Sequence, residues 1–205
     1  MKFLEIAGNR KKSNDWDNIR DIPVKGSMVH DMTQLPIPGI NDNTYDGVFS
    51  EHFIEHLTKK QGINFLREMY RILKPGGVIR TIWPSMDFIN HLKSDHDLSM
   101  DPFVDKYTRY IIDSERVFEK IYYTSMPVDI SKLRRQDRVA LRLLHQEGEH
   151  KHLWYKQDLI DHMMDIGFKD VGEEQYYKSR LLEFNNIDNR QEMRILHSTV
   201  VEAIK

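Results

Sequence analysis

One stretch of the sequence combines two apolar segments with an amphipathic one between them. The first apolar segment, Tyr45–Ser50, has the length and composition of a buried strand. Thr58 is a good N-cap, and apolar residues at helical spacing follow it. Pro75-Gly76-Gly77 ends this helix and leads into a second strand, Val78–Trp83. This strand–helix–strand order predicts the carboxyl half of an α/β domain.

Other short apolar segments lie on both sides of this unit, and each ends at glycine, proline or polar residues. We predict strands at Lys2–Ala7, Trp16–Ile22, Ser27–Met32, Phe168–Gln175 and His197–Ala203. The fold class is therefore α/β. We expect a Rossmann-like, mostly parallel sheet with helices on both faces and a C-terminal antiparallel hairpin.

Between the fifth strand and the C-terminal part, helical periodicity and charged residues dominate the sequence. The candidate helices are Asp87–Leu92, Phe103–Tyr122 and Ile130–Leu144, and a further helix is predicted at Tyr155–Gly167. A chain of 205 residues suffices for one domain with a full core. We predict a single domain, 1–205, with a helical insertion at about 86–146.

The composition limits the classes of function. The sequence contains no cysteine, which excludes disulfides, thiolate metal sites and a cysteine nucleophile. The formal net charge of −2 gives no overall attraction to nucleic acid, and we expect no nucleic-acid partner. No apolar run is long enough to span a membrane, and the N-terminus resembles a strand more than a signal peptide. We therefore predict a cytoplasmic protein.

Ligands of parallel α/β sheets bind outside the carboxyl ends of the strands. The residues that follow the five predicted strands should therefore lie close together although they are far apart in sequence. They are Ala7-Gly8-Asn9, Arg20-Asp21, Asp31-Met32, Ser50-Glu51-His52 and Trp83-Pro84. We expect a ligand site at this edge of the sheet.

These segments resemble the class I S-adenosylmethionine-dependent methyltransferases, in particular a short bacterial group that begins at the first strand. The resemblance is carried by LEIAGN, WDNI, MVHDMTQLPIP, YDGVFSEHFIEHL, LREMYRILKPGGVIRTIWP and, near the C-terminus, EHKHLWYKQDLIDHMMDIGFKDV and HSTVVEAIK. It implies that the cofactor is S-adenosylmethionine. The acceptor that it implies is a small molecule or a glycan- or lipid-type compound.

The resemblance also implies which residues bind the cofactor. Ala7, Gly8 and Asn9 correspond to the glycine-rich loop, which usually reads G-x-G. Asp31 and Met32 correspond to the residues that contact the adenine. Ser50 and Glu51 begin the segment that borders the sulfonium. Arg20 stands where an acidic residue usually holds the ribose, so Asp21 is expected to take that role, with Asp17 as the alternative.

Methyl transfer needs a base only when the acceptor must lose a proton. His52 and His56 follow the fourth strand and are the predicted catalytic residues, since a histidine near neutral pKa can accept that proton. Glu55 is a further candidate, although Glu55 and His56 can equally serve to hold the following helix. Trp83 and His150 are predicted to contact the substrate.

Two other functions fit parts of the sequence. His52-Phe53-Ile54-Glu55-His56 matches the H-x-x-E-H pattern of a zinc hydrolase, in which two histidines bind the metal and a glutamate is the base. A short pattern of this kind occurs easily by chance, so we predict no metal site. Alternatively, the altered residues Ala7 and Arg20 weaken cofactor binding and the protein acts by binding alone. The sequence leaves the oligomeric state open.

Overall fold

The computed structural model describes residues 1–8, 14–94, 96–98, 101–107, 109, 133–189 and 192–205. Seven strands form one sheet in the order β3-β2-β1-β4-β5-β7-β6. The strands are β1 (Phe3–Ile6), β2 (Trp16–Arg20), β3 (Met28–Val29), β4 (Tyr45–Glu51), β5 (Leu73–Pro84), β6 (Lys169–Glu173) and β7 (Ser198–Ile204). Every predicted strand is present.

The sheet is parallel from β3 to β5, and β7 is inserted antiparallel between β5 and β6. The predicted fold class is therefore confirmed, including the antiparallel C-terminal strands. β3 is shorter than predicted. β5 begins at Leu73, earlier than predicted, and Leu73 pairs with Tyr45 of β4. The pairing is interrupted at Lys74–Gly77 and resumes where Val78 pairs with Gly47. Gly76 has a φ of 80° within that excursion, a conformation that glycine adopts freely.

Five α-helices lie wholly within the described residues. They are α1 (Lys59–Ile72), α2 (Met86–Leu92), α3 (Arg135–His145), α4 (Lys156–Ile166) and α5 (Glu192–His197). The predicted N-cap Thr58 forms a capping box with Gln61, in which each side chain meets the other residue's backbone N–H. Gly167 ends α4 with a φ of 116°, as the sequence predicted.

The predicted insertion helices are only partly within the described residues. Residues 102–107 are helical, whereas residues 110–122 of the predicted helix Phe103–Tyr122 lie outside the described part of the chain. The predicted helix Ile130–Leu144 is observed as α3, which begins at Arg135. The short helix α5 was not predicted.

Helices α1 and α4 pack on one face of the sheet. Their apolar side chains, among them Phe65, Met69 and Met163, join Leu4 and Val48 of the sheet in the largest buried cluster. The two helices are linked at their N-terminal ends, where Lys59 Nζ lies 2.8 Å from Asp158 Oδ2. Burial of this apolar surface is the main source of stability for this face.

The opposite face of the sheet is covered by the segment between β6 and α5. Phe184, in a 3₁₀ turn at Leu182–Phe184, packs on Phe3 and Phe49 of the sheet. Arg80 of β5 lies fully buried beneath this segment. Its guanidinium donates hydrogen bonds of 2.9 Å to Asp188 and 2.8 Å to Glu202, so the buried positive charge is paired within the protein.

Helices α2 and α3 form a hydrophobic cluster that is separate from the two sheet faces. Ile89 and Leu92 of α2 pack with Val139 and Leu143 of α3. A 3₁₀ turn at Gln146–Gly148 follows α3 and returns the chain to the sheet. No helix among the described residues is long and apolar enough to cross a membrane.

Candidate active site

A cavity of about 550 Å³ opens at the carboxyl ends of the parallel strands, beside the ends of β1, β2 and β4. β1 lies between β2 and β4, so the strand order reverses there, and such a position is the usual ligand site of α/β sheets. The cavity lining includes six residues predicted to belong to the site: Ala7, Asp21, Asp31, Met32, His52 and His56. The predicted convergence of these segments is therefore observed.

The first loop begins in a left-handed backbone conformation. Ala7 follows β1 with a φ of 59°, which is uncommon for a residue with a side chain. Gly8 comes next, and a β-carbon at Gly8 would lie 2.0 Å from Cδ of Glu5. Gly8 is therefore required by the close approach of a buried side chain. Asn9 lies outside the described residues.

Asp31 and Met32 follow β3 and form a polar and an apolar part of the cavity wall. The backbone N–H of Thr33 donates a 2.8 Å hydrogen bond to Oδ1 of Asp31. This bond holds the pKa of Asp31 below its ordinary value, so the carboxylate is charged at neutral pH. Met32 is only 5% exposed and offers an apolar surface beside that charge.

Arg20 and Asp21 lie together at the end of β2, and both line the cavity. Asp21 is exposed, which leaves its carboxylate accessible to a ligand. Nε of Arg20 is buried and has no hydrogen-bond partner among the described residues. The end of β2 therefore presents one cationic and one anionic group to the cavity. Asp17, the alternative ribose residue, does not line the cavity. Its carboxylate accepts a hydrogen bond from Tyr45 and pairs with Lys2.

A second cavity of about 180 Å³ adjoins the first, and both are lined by Ala7 and Arg20. Gly8 and Glu51, two further predicted cofactor residues, line this smaller cavity. Glu51 accepts hydrogen bonds of 3.1 Å from the backbone N–H of Asn189, which fixes its carboxylate. Arg194 also lines the smaller cavity.

His52 follows β4 in a left-handed conformation, with a φ of 53°. Its Nε2 lies 3.0 Å from Oγ of Ser198, and its Nδ1 lies 3.3 Å from Oε1 of Glu55. Burial, followed by the electrostatic effects of nearby Arg194 and His56, lowers the pKa of His52 to about 3. The ring is therefore neutral at physiological pH, and it lines the large cavity.

Glu55 lies in a 3₁₀ turn at Ile54–His56 and is fully buried. Neither of its carboxylate oxygens accepts a hydrogen bond from the described residues. Burial raises the pKa of this carboxyl group above its ordinary value. His56 is half-buried in the same turn and lines the large cavity.

His150 lies behind the cavity wall. It is 9% exposed, and its ring centroid is 5.2 Å from that of His56. Its neighbours Glu149 and Lys151 line the cavity. The segment is fixed because the carbonyl of Glu55 accepts hydrogen bonds from the backbone N–H of Lys151 and of His152.

The structure does not bring two other predicted residues to the cavity lining. Ser50 is 1% exposed, and its hydroxyl donates a 3.0 Å hydrogen bond to Thr81. Trp83 is fully buried in the core, where its Nε1–H donates to the carbonyl of Trp154. Both side chains stabilise the sheet where they lie.

Three polar side chains that line the large cavity were not predicted. Thr33 follows the predicted pair Asp31-Met32, and its role as a partner of Asp31 matches the Asx-turn tendency of aspartate. Glu149 and Lys151 flank the predicted His150, and only their position next to that residue could have indicated them. Glu149 and Lys151 belong to the segment that follows the helical region. No local sequence pattern predicts that this segment packs beside the strand ends.

Comparison with known proteins supports the resemblance seen in the sequence. Residues 2–81 match a family model described as a methyltransferase domain. The chain is similar to an S-adenosylmethionine-dependent methyltransferase from Archaeoglobus fulgidus, with a TM-score of 0.55 and 14% identity over 100% of this chain and 86% of that one.

The chain is also similar to a chain of the Haloferax volcanii complex between the Trm112 methyltransferase activator and a protein assigned as a methyltransferase. That match has a TM-score of 0.52 and 10% identity over 99% of this chain and 81% of that one. No curated protein matches the chain in sequence. The protein therefore has the class I methyltransferase fold. Its resemblance to the S-adenosylmethionine-dependent methyltransferases is confirmed, with the sequence match lying in residues 2–81.

Proposed function

We propose that the protein transfers a methyl group from S-adenosylmethionine to a small-molecule or glycan- or lipid-type acceptor. One observation carries this proposal: Ala7, Asp31 and His52, which follow three different strands, line the same 550 Å³ cavity. Small-molecule cavities typically have roughly 300–1,000 Å³, so a nucleoside-sized cofactor fits this one.

The cofactor's adenosine is proposed to lie against Asp31 and Met32. The charged carboxylate of Asp31 would accept a hydrogen bond from the adenine amino group, and Met32 would contact the ring. Asp21 is proposed to bind the ribose hydroxyls beside Arg20. The methionine part would then lie along the Ala7-Gly8 turn and towards the smaller cavity, where Glu51 can receive its ammonium group.

When bound, S-adenosylmethionine supplies an electrophilic methyl group, and the protein supplies position and environment. The two predicted bases, His52 and His56, line the same cavity. His52 is neutral at physiological pH, but a pKa of about 3 makes its ring a weaker base than the near-neutral histidine expected from the sequence, so we propose that it orients the acceptor by a hydrogen bond. The hydroxyl of Ser198, 3.0 Å from Nε2 of His52, orients this ring.

The helical region from about 86 to 146 is proposed to select the acceptor. Its helices α2 and α3 share a hydrophobic cluster of their own. The 3₁₀ turn that follows α3 then carries Gly148 and Glu149 to the cavity. A change in this region would therefore alter the acceptor side of the cavity without altering the strand ends that are proposed to hold the cofactor.

The proposal is tested by the formation of S-adenosylhomocysteine from S-adenosylmethionine in the presence of a panel of hydroxyl, amine and glycan acceptors. We expect acceptor-dependent product from the wild-type protein and much less from Asp31→Ala. The matched control is Asp165→Ala, an exposed aspartate near the end of α4 that does not line this cavity. Equal loss of product in both variants would contradict the proposed cofactor position.

A further inference from the structure

Three potential metal ligands lie together in the wall of the large cavity. Ligand atoms of Glu55, His56 and His150 all lie within 4.8 Å of one another. The first two residues belong to the 3₁₀ turn after β4, and the third follows the turn at Gln146–Gly148. Backbone hydrogen bonds from Lys151 to the carbonyl of Glu55 hold these two segments together, so the group is part of the fold.

Glu55 is the residue that points most directly to a ligand. It is fully buried, and neither carboxylate oxygen has a hydrogen-bond partner among the described residues. His52 Nδ1 lies 3.3 Å from Oε1, but the arrangement does not satisfy hydrogen-bond geometry. Buried carboxylates are normally paired, hydrogen-bonded or coordinated to a metal, because their transfer from water is costly. The carboxylate of Glu55 is therefore expected to bind a cation or a hydrogen-bond donor.

His150 has the hydrogen bonding that metal-binding histidines usually have. Its Nδ1 lies 2.6 Å from the carbonyl oxygen of Leu143, which can only accept, so Nδ1 carries the proton. Nε2 then carries the lone pair, and it is buried without a partner among the described residues. A backbone carbonyl that fixes one ring nitrogen and leaves the other free to coordinate is the usual support of a metal-bound histidine.

His56 connects this group to the cavity. It is half-buried and lines the cavity, whereas Glu55 and His150 are buried behind it. A cation held by the three would have its protein ligands on the buried side and would be reached from the cavity side. Sites with three protein ligands and an open position are typical of metals that act on a substrate.

We propose that Glu55, His56 and His150 bind a divalent first-row transition cation, of which Zn²⁺ is the type. Two imidazole nitrogens and one carboxylate oxygen form a ligand set that suits Zn²⁺ rather than Mg²⁺ or Ca²⁺, which prefer oxygen. Zinc bonds of about 2.0–2.2 Å place ligand atoms roughly 3–3.5 Å apart. Small side-chain rotations would bring the three atoms to that distance.

This site differs from the H-x-x-E-H arrangement considered from the sequence. There, His52 and His56 bind the metal and Glu55 is the base. In the structure, Nε2 of His52 faces Ser198, whereas the unpartnered atoms belong to Glu55 and His150. Glu55 is therefore a ligand, and His150 takes the place of His52.

The site also assigns His56 a ligand's role in place of the proton-accepting role predicted from the sequence. His52 would then lie beside the cation without binding it, with its Nε2 at hydrogen-bond distance from Ser198. The existence of the site does not depend on the proposed methyl transfer. Its use there, to bind an oxygen or nitrogen atom of the acceptor so that the proton on this atom passes more readily to water in the cavity, rests on the proposed function.

Metal binding is tested on chelator-treated full-length protein titrated with ZnCl₂ in competition with a chromophoric chelator. We expect one Zn²⁺ per chain, with more than tenfold weaker binding in Glu55→Gln and in His150→Gln. The matched control is His145→Gln, because His145 is exposed at the end of α3, close in sequence to His150. This control should bind like the wild type. No stoichiometric binding, or an equal loss in the control, would overturn the proposal.

A second measurement uses only the wild-type protein, so its result does not depend on whether the variants fold. The wild-type protein loaded with Co²⁺ should show the visible absorption of a cation with two nitrogen ligands and low coordination number, and ZnCl₂ should abolish it. The weak spectrum of hexa-aqua Co²⁺ would contradict the site. S-adenosylhomocysteine binding measured on the same samples separates the two proposals, since its absence bears only on the methyltransferase function.

Discussion

The side chain of Glu5 occupies the space next to Cα of Gly8, where a β-carbon would lie 2.0 Å from its Cδ. Glu5 is 2% exposed, and its carboxylate accepts a 2.9 Å hydrogen bond from Asn18. Asn18 also donates to the carbonyl of Gly8. The start of the first loop is thus fixed by a buried carboxylate and amide, and only glycine fits between them.

Gly8→Val is therefore expected to displace Glu5 and distort the loop. We predict more than tenfold weaker binding of S-adenosylhomocysteine, measured by calorimetry. Gly172→Ala is the control, since its β-carbon would meet only the flexible end of Arg180, at 3.2 Å, on a strand far from the cavity. Wild-type affinity in Gly8→Val would show that this loop does not approach the ligand.

Ala7→Gly is expected to stabilise the protein slightly. The left-handed conformation at φ 59° costs a residue with a β-carbon about 1–2 kcal/mol, and glycine removes this cost. Glycine also increases the conformational entropy of the unfolded chain, which offsets about 0.4–1 kcal/mol of that stabilisation. We predict an increase of about 0.5–1 kcal/mol in the free energy of unfolding, measured with urea. Asn186→Gly is the control: its φ is 60°, but asparagine tolerates that region, so little gain is expected.

Asp31→Ala is expected to weaken cofactor binding without unfolding the protein, because the side chain is exposed and its hydrogen-bond partner among the described residues is Thr33, in its own turn. The pH dependence follows from the direction of its pKa shift. The folded pKa lies below the ordinary 3.8, so the carboxylate is charged at every pH well above that value. The contribution of Asp31, measured as the ratio of wild-type to Asp31→Ala affinity, should not change between about pH 5 and pH 8. A ratio that falls over this range would contradict the assignment.

Arg80→Met is expected to cost about 3–5 kcal/mol, because it leaves Asp188 and Glu202 buried without their cation. The free energy of unfolding in urea measures this loss. Lys156→Met provides the comparison, since Lys156 pairs with Glu173 at the surface and should cost at most about 1 kcal/mol. Similar losses in both variants would mean that the buried network contributes no more than a surface pair.

The sequence predicted most of the sheet, because short apolar segments with clear ends alternate along it. The N-cap Thr58 and the terminator Gly167 were correctly identified for the same reason: both act through local backbone chemistry. The order of elements also predicted which strand ends converge. Ala7, Asp31 and His52 line one cavity because parallel strands end at the same edge.

Local pattern could not predict which way a side chain points at a strand end. Trp83 was predicted to lie at the ligand edge, but it points into the core and donates to the carbonyl of Trp154. Arg80 stands in an apolar strand, and its partners Asp188 and Glu202 are more than a hundred residues further along the chain. The pairing of Glu55 with His150 depends in the same way on tertiary packing.

The binding of the adenosyl cofactor is the central claim, and calorimetric titration of the wild-type protein with S-adenosylhomocysteine tests it most directly. Saturable binding of one molecule per chain is expected, with a clear loss of affinity in Asp31→Ala and none in Asp165→Ala. The absence of heat from binding at millimolar ligand, in folded protein, would contradict the account.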